Sequence, residues 1–248
     1  MTFTPLDLWL GGGCLLIIFI VWSLKKPGKE AIINWEATMK PMNKYNFFNI
    51  EKIVQVLYYI QKKSHAVSKL DLIKYLFFAD RIHIRKYFSF ISLDNYVALK
   101  YGPVASNSLD VLNKQKEYLS NFSENDLRCL DSIEKVNQSK RIIKQVANDL
   151  LSKNEMRSID KSIELFFGMD LIKISHDYPE WKRYKVLFEG KFISSQPIII
   201  DDFFRNPVVS DSPAIQKYFN GIDPLYEDEE YLYEAREFFL QNMGQYAR

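Results

Sequence analysis

Cysteine and histidine are scarce in this chain, and the two signs of charge nearly cancel. The 248 residues include two cysteines and three histidines. Two cysteines are too few for a disulfide framework, and none of these residues form a pair at the spacing that zinc ligands usually have. The 33 basic and 31 acidic residues leave a formal charge of +2, which provides no overall field to hold nucleic acid. The sequence therefore predicts no metal site, no cofactor and no nucleic-acid partner.

Apolar side chains, in contrast, are abundant. Hydrophobic residues make up 47% and aromatic residues 15% of the sequence. This content is enough to fill one sizeable core or two small ones in a chain of this length. A disordered protein does not have this composition. We therefore expect a folded body from about Asn43 onward.

An uncharged apolar run lies near the amino terminus. Residues 8–24 carry no charge, and about seventeen residues at ~1.5 Å rise reach roughly 25 Å, a marginal membrane-spanning length. Trp9 and Trp22 stand near its two ends, as interfacial anchors do, and Lys25 and Lys26 follow it. Basic residues on the carboxyl side favour a cytoplasmic location for the rest of the chain. The alternative is a core or dimerisation helix, in which three successive glycines are unfavourable.

Helix caps and apolar periodicity indicate the elements after this run. Asn49 and Ser68 are expected N-caps of two amphipathic helices, the second ending near Phe88. A strand at 95–101, ended by Gly102 and Pro103, precedes a third helix that Ser106 caps and that ends near Tyr118. Within 127–146 the spacing predicts a hairpin, and a helix is the less favoured alternative. Four further helices are predicted, at 152–167, 170–176, 212–221 and 229–243.

The second helix has charged residues where apolar ones are expected. At about 100° per residue, Asp80 falls within an apolar arc, with His83 and Tyr87 beside it. Buried polar groups need partners, so we expect backbone amides to bond the carboxylate, those of the Gly102–Pro103 turn in particular. General acid–base chemistry is the alternative.

A narrow basic strip lies between two apolar arcs of the same helix. It consists of Lys74, Arg81 and Arg85. We interpret it as a solvated face, and the alternative is a strip that docks a partner.

Four sequence blocks occur in an order and at spacings that resemble a known family. They are KLDLIKYLFFADRIHIRKYF, YVALKYGPV, LSKNEMRSIDKSIELF and LIKISHDYPEW. Together they resemble the Panacea domain of promiscuous bacterial antitoxins, over about Ile50 to Tyr184. The residues that carry the resemblance are Phe78, Ala79, Asp80, Arg81, Tyr96, Ala98, Tyr101, Gly102, Pro103, Val104, Ser175, His176 and Trp181.

This resemblance implies both a fold and a function. The fold is α+β and mainly helical, with a small antiparallel sheet. The function is neutralisation, by direct contact and without enzymatic chemistry, of a toxin encoded by the adjacent gene. A second hypothesis is a phage-derived or defence-related adaptor that binds a host protein without a toxin.

The chain departs from the family pattern at both ends. We predict an anchor over 1–27, a tether over 28–44, the Panacea-like domain over 45–190 and a partly helical extension over 191–248 that packs on it. The anchor would hold the domain at the cytoplasmic face of the bacterial inner membrane, and a cytoplasmic protein is the alternative.

His176 and four residues of the last helix each have two possible roles. His176 is expected to cap a helix end as a cation, or else to contact the partner. The aromatic and aliphatic residues of the last helix either close the core or contribute to the contact surface; they are Tyr231, Leu232, Phe238 and Phe239.

Overall fold

The computed structural model describes residues 48–246, and side chains through residue 242. The predicted anchor, with Trp9, Trp22, Lys25 and Lys26, and the predicted tether lie outside these residues. Within residues 48–246 no helix combines the length and the apolar character that crossing a bilayer requires. The membrane anchor therefore stays a prediction.

The described part is mainly helical. Its α-helices and strands, in chain order, are α1 (Ile50–Ser64), α2 (Lys69–Tyr87), β1 (Tyr96–Leu99), β2 (Gly102–Ala105), α3 (Ser106–Asn113), α4 (Lys116–Leu119), α5 (Glu124–Leu127), β3 (Ile133–Lys135), β4 (Arg141–Ile143), α6 (Lys153–Phe166), α7 (Leu171–Ser175), α8 (Pro179–Lys182), α9 (Lys185–Glu189), β5 (Ser195–Pro197), α10 (Pro213–Phe219) and α11 (Glu229–Tyr246). Short 3-10 turns lie at Arg128–Ser132, Ile200–Phe204 and Val209–Asp211. The predicted α+β class with a small antiparallel sheet is confirmed.

Helix α2 is the central element of the core. It begins at the predicted N-cap Ser68, whose hydroxyl accepts a hydrogen bond from the Leu70 N–H, and ends where Phe88 adopts φ 57°. Side chains from all sides of the helix are buried, among them Leu72, Ile73, Leu76, Phe77 and Phe78. A helix buried all round has neighbours on every face. The neighbours with the most extensive packing are α6, α1 and the strand β2.

Helix α6 begins at the predicted capping box. The Ser152 hydroxyl accepts from the Glu155 N–H at 3.2 Å, and the Glu155 carboxylate accepts from the Ser152 N–H at 2.7 Å. These bonds satisfy backbone donors that a helix start otherwise leaves free. The helix then packs its apolar stripe on α2, where the rings of Phe166 and Phe78 stack with 4.1 Å between centroids.

The main sheet has the strand order β2-β1-β5 and is antiparallel throughout. Gly102 and Pro103 were predicted to end the first strand, but β1 already ends at Leu99. The two residues instead begin β2, which pairs back onto β1. The strand β5 comes from the predicted carboxyl-terminal extension. The favoured hairpin is confirmed as β3 and β4, which form a separate two-stranded sheet.

The predicted third helix is shorter than expected. It ends at Asn113 because Lys114 has φ 50°, and the one-turn helix α4 follows at Lys116. The Ser106 hydroxyl is not its cap, since the N-cap residue is Ala105 and the cap has no side-chain hydrogen bond.

The last helix contributes its inner face to the core. Leu232 and Phe239 of α11 are buried, whereas Tyr231 and Phe238 are 36% and 50% exposed. The Phe239 ring packs against Phe90 with 6.0 Å between centroids. Two of the four predicted side chains thus close the core, and the other two are partly at the surface.

Candidate interaction site and its buried polar frame

Asp80 is completely buried, and its carboxylate holds the segment that follows α2. It accepts hydrogen bonds from the N–H groups of Ile91 and Ser92 at 2.5 and 3.2 Å, from the Ser92 hydroxyl, and from the Tyr96 hydroxyl at 2.7 Å. Burial raises the pKa of Asp80, and these donors oppose the rise. A loop does bond this carboxylate, as expected, but it is the loop at Ile91 and Ser92. The prediction that the Gly102–Pro103 turn supplies the amides is wrong.

His83 is held apart from Asp80 by partners of its own. Its Nδ1 lies 2.7 Å from the carbonyl oxygen of Ser89, and its ring packs on Tyr87 with 4.9 Å between centroids. An Nδ1–H that donates to this carbonyl leaves the proton fixed on that nitrogen. The carboxylate and imidazole considered for acid–base chemistry are thus engaged in separate structural contacts.

Lys74 contacts the turn that was expected to contact Asp80. Its side chain is completely buried, and Nζ donates to the carbonyl oxygen of Pro103 at 2.7 Å. Burial lowers the pKa of Lys74 well below its ordinary value, because the ammonium loses its hydration inside the protein. This bond connects the amino-terminal half of α2 to the start of β2.

Arg81 is buried against the carboxyl-terminal half of the chain. It forms an ion pair with Glu180 of α8, and its guanidinium lies 4.7 Å from the ring centroid of Tyr178. Both charged side chains are fully inaccessible to solvent. Burial raises the pKa of Glu180, and Arg81 opposes that rise. An ion pair at this depth costs desolvation, so each charge needs the other to remain in the core.

Arg85 extends the same contact toward the end of the chain. Its Nε donates to the Phe203 carbonyl at 2.6 Å and its Nη1 to the Leu225 carbonyl at 2.9 Å. The carbonyl of Arg205 accepts from both Arg81 and Arg85. Burial lowers the pKa of Arg85 to about 9, and the nearby Arg81 contributes to that shift.

The predicted solvated basic strip is therefore wrong. Lys74, Arg81 and Arg85 are at most 2% exposed, because backbone carbonyls and a carboxylate from distant segments cover them. For the same reason Lys74 and Arg85, proposed as possible partner-binding residues, are not available to a partner at the surface. The contacts of Arg81 and Arg85 are typical of a frame that fixes the extension to α2, and Lys74 fixes β2 to the same helix.

The other family-motif residues meet around Gly102. This glycine has φ +98°, and a Cβ placed on it would lie 2.5 Å from Lys74 Nζ, 2.5 Å from Ser175 Oγ and 3.2 Å from the His176 ring. A residue with a side chain would be strained by the backbone angle and would also displace these groups. Both the positive φ and the close neighbours therefore require glycine at position 102.

His176 and Trp181 form the next layer beside this turn. Their rings stack with 3.6 Å between centroids and 3° between planes, and Trp181 Nε1 donates to the Leu99 carbonyl at 2.8 Å. Burial, helped by Lys74, lowers the pKa of His176 to about 4. His176 does stand at the C-cap of α7, but as a neutral ring at physiological pH. The expectation of a cationic cap is wrong.

Asp94 is a buried node that the sequence analysis missed. Its carboxylate accepts from the N–H groups of Asn107 and Ser108 at 2.8 and 2.7 Å, and from the Ser108 hydroxyl at 2.6 Å. It thereby does for α3 what Ser106 was expected to do. Burial raises the pKa of Asp94 to about 7. No local spacing signals this contact, because the cap lies more than ten residues before the helix that it serves.

Among the predicted motif residues, Tyr101 is the one that is largely exposed, at 52%. Most of the others are buried and have polar partners within the chain, so they can support a surface but cannot form one.

Within residues 48–242, no group of three His, Cys, Asp or Glu side chains is placed to hold a metal ion. A groove of about 370 Å³ lies along α11, and none of its lining residues belongs to the motif; they are Asp201, Phe204, Arg205, Glu229, Leu232, Tyr233 and Arg236.

Comparison with known families identifies the segment that contains this frame. Residues 72–182 match the family model of the antitoxin SocA-like Panacea domain. The resemblance inferred from the four sequence blocks is confirmed, although the matched range begins within α2 and leaves α1 outside. No curated protein and no solved structure matches the chain.

Proposed function

We propose that this chain is an antitoxin-like protein-binding module that neutralises a cognate toxin by direct contact. The observation that carries the proposal is the Panacea match over residues 72–182, the segment that contains Asp80, Gly102, His176 and Trp181. Buried hydrogen bonds and ring stacking give this segment a fixed shape. A fixed shape favours binding, because less conformational freedom is lost when the partner docks.

The proposal includes that the chain is not an enzyme. Its support is that Asp80, His83, Lys74 and Ser175 are buried and bonded to groups of the same chain. A catalytic group has to reach a substrate atom. Neutralisation should therefore survive Asp80→Asn and His83→Ala at a temperature at which both variants remain folded. Loss of activity in a fully folded variant would contradict this part of the proposal.

Co-expression tests the function directly. The product of the gene adjacent to this one is expressed alone and together with the full chain, and growth is measured. We expect the neighbour to arrest growth alone, the full chain to restore growth, and the two proteins to co-purify. Unchanged toxicity in the presence of this protein would refute the proposal. Binding of a host protein, with no toxin involved, would instead favour the adaptor hypothesis.

The membrane location is a separate part of the proposal. Its support is the uncharged run at 8–24 followed by Lys25 and Lys26. Fractionation of cells tests it: the full chain should sediment with membranes, whereas a chain that starts at Asn43 should stay in the supernatant. If both forms stay in the supernatant, the run is a core or dimerisation helix.

A further inference from the structure

Three apolar side chains close together in sequence are exposed just after the matched segment. Val186 and Leu187 of α9 are 73% and 40% exposed, and Phe192, in the turn after the helix, is 77% exposed. Single exposed apolar residues are ordinary, but a group of them is typical of an interaction site. We call these three residues, together with Lys185 and Lys191, the α9 surface.

The α9 surface has a rigid support. Phe188, on the inner side of α9, stacks on Trp181 with 5.9 Å between centroids and 3° between planes. Trp181 in turn stacks on His176. This column of three parallel rings connects the surface to the family-motif residue Gly102, where an added Cβ would lie 3.2 Å from the His176 ring. The motif residues are therefore placed to hold α9 rather than to contact a partner themselves.

Backbone contacts fix the turn that carries Phe192. The Phe192 N–H donates to the Leu187 carbonyl at 3.0 Å, and the Gly190 N–H donates to the Val186 carbonyl at 3.0 Å. The Phe192 ring lies over Gly190, where a Cβ would collide with it. The apolar groups are thus presented in one conformation, which reduces the entropy that binding costs.

Addition of a strand to the neighbouring sheet edge is disfavoured, so a partner has to bind through side chains. The outer strand is β5, and Pro197 has no N–H to offer another strand. Its carbonyl already accepts a hydrogen bond from the Tyr184 hydroxyl at 2.8 Å. At the opposite edge, all residues of β2 are buried.

The charges around the apolar side chains determine the kind of partner. The exposed charges beside the apolar side chains are Lys185, Lys191 and Glu189. Arg183 is already paired with Asp202, and the Lys182 ammonium donates to the Asp211 carbonyl. Lys185 lies 3.7 Å from Glu189 and remains 48% exposed, and Lys191 is exposed as well. A complementary surface has carboxylates around an apolar centre.

We propose that the α9 surface docks an acidic protein surface with an apolar centre, which the Phe192 and Val186 side chains contact. This inference rests on the proposed antitoxin-like function and names the surface that performs it. A protein is favoured over a lipid surface because two of the three rings in the supporting column, His176 and Trp181, belong to the segment that matches an antitoxin-like domain.

The test uses the purified full chain in detergent micelles and the product of the adjacent gene as the probe. One variant combines Val186→Ser, Leu187→Ser and Phe192→Ser, and a second combines Lys185→Glu and Lys191→Glu. We expect the first to raise the Kd by about 100-fold, as loss of central anchors does. The second should slow association by about tenfold or more at low salt. Both should keep the melting temperature, because the altered side chains are exposed.

Matched controls separate the surface from general effects of polarity and charge. Tyr233→Ser removes a 65% exposed aromatic side chain from α11. Lys116→Glu with Lys153→Glu makes the same charge change as the second variant, at exposed helix starts where glutamate is favourable. Both controls should bind within about twofold of the wild type, a difference below 0.5 kcal/mol.

The outcomes distinguish the surface from the function. If the wild type binds the probe and both α9 variants bind equally well, the proposed surface is wrong and the function stands. If the wild type neither binds nor neutralises the probe, the proposed function falls, and this inference with it. Binding of phosphatidylglycerol vesicles that the α9 variants lose, with probe binding unchanged, would assign the surface to lipid. Self-association that the same variants abolish would assign it to a second copy of the chain, and either result overturns the proposal.

Discussion

Replacing Asp80 tests whether one buried carboxylate holds the segment between α2 and β1. In Asp80→Ala, both carboxylate oxygens are lost, and four donors lose their acceptor: two N–H groups, at Ile91 and Ser92, and the hydroxyls of Ser92 and Tyr96. The hydroxyls can rotate toward other acceptors. The two backbone amides cannot, because the chain fixes their direction.

The expected magnitude follows from those two amides. A buried donor without an acceptor costs about 1–3 kcal/mol, so the two together cost about 2–6 kcal/mol. A domain of this size unfolds with roughly 5–15 kcal/mol, so the variant should lose a large part of its stability. Asp80→Asn should cost less, about 1–2 kcal/mol, because its amide oxygen can still accept from the backbone while its NH₂ donates to the hydroxyls.

Urea unfolding followed by circular dichroism measures these differences. Asp160→Ala is the matched control. Asp160 also lies within a helix, and its carboxylate accepts a hydrogen bond from the Tyr59 hydroxyl at 3.0 Å. Its side chain, however, is 45% exposed. Its cost should stay below about 1 kcal/mol. A loss of less than 1 kcal/mol in Asp80→Ala, equal to that of the control, would refute the role given to this carboxylate.

Two further predictions concern the other buried nodes. Gly102→Ala should lower the melting temperature far more than Gly168→Ala. Both glycines have positive φ, but only at Gly102 would the new Cβ meet Lys74 Nζ and Ser175 Oγ. Equal shifts of the melting temperature in calorimetry would contradict this close packing. For Asp94, burial raises the pKa of the folded state to about 7, from an ordinary value of 3.8. Between these values the folded state binds the proton more tightly than the unfolded state does. The contribution of Asp94 to stability therefore falls as the pH rises from about 4 to about 7. Relative to Asp94→Asn, the wild type should therefore lose stability over that range, at up to about 1.4 kcal/mol per pH unit in urea unfolding, and a difference that is independent of pH would refute the shift.

The elements with local signals could be predicted from the sequence. Asn49, Ser68 and the Ser152–Glu155 box are N-caps whose side chains bond amides within three residues, so each helix start is encoded next to itself. The strand at 96–99 has the expected alternation, with Tyr96 and Ala98 buried. The order of the four blocks is enough to indicate the resemblance to the Panacea domain, which the family model matches over residues 72–182.

The position of each residue on α2 follows from the sequence, but the segments that pack on α2 do not. The projection of α2 correctly assigned Asp80 to the buried side. It does not show that segments more than a hundred residues away supply carbonyls to Arg81 and Arg85, so the pattern alone predicts that these residues face solvent. For the same reason it does not show that Lys74, and not Asp80, bonds the Pro103 carbonyl.

The sequence by itself determined the starts of α1, α2 and α6, the strand alternation and the resemblance to the Panacea domain, because those properties depend on neighbours along the chain. The tertiary structure alone decided which charges are buried, which carboxylate caps α3 and where apolar side chains remain exposed. Each of these depends on contacts between distant segments, whose partners no local pattern specifies. The basic residues of α2 show this difference most clearly: their place on the helix follows from the sequence, and their burial follows only from the fold.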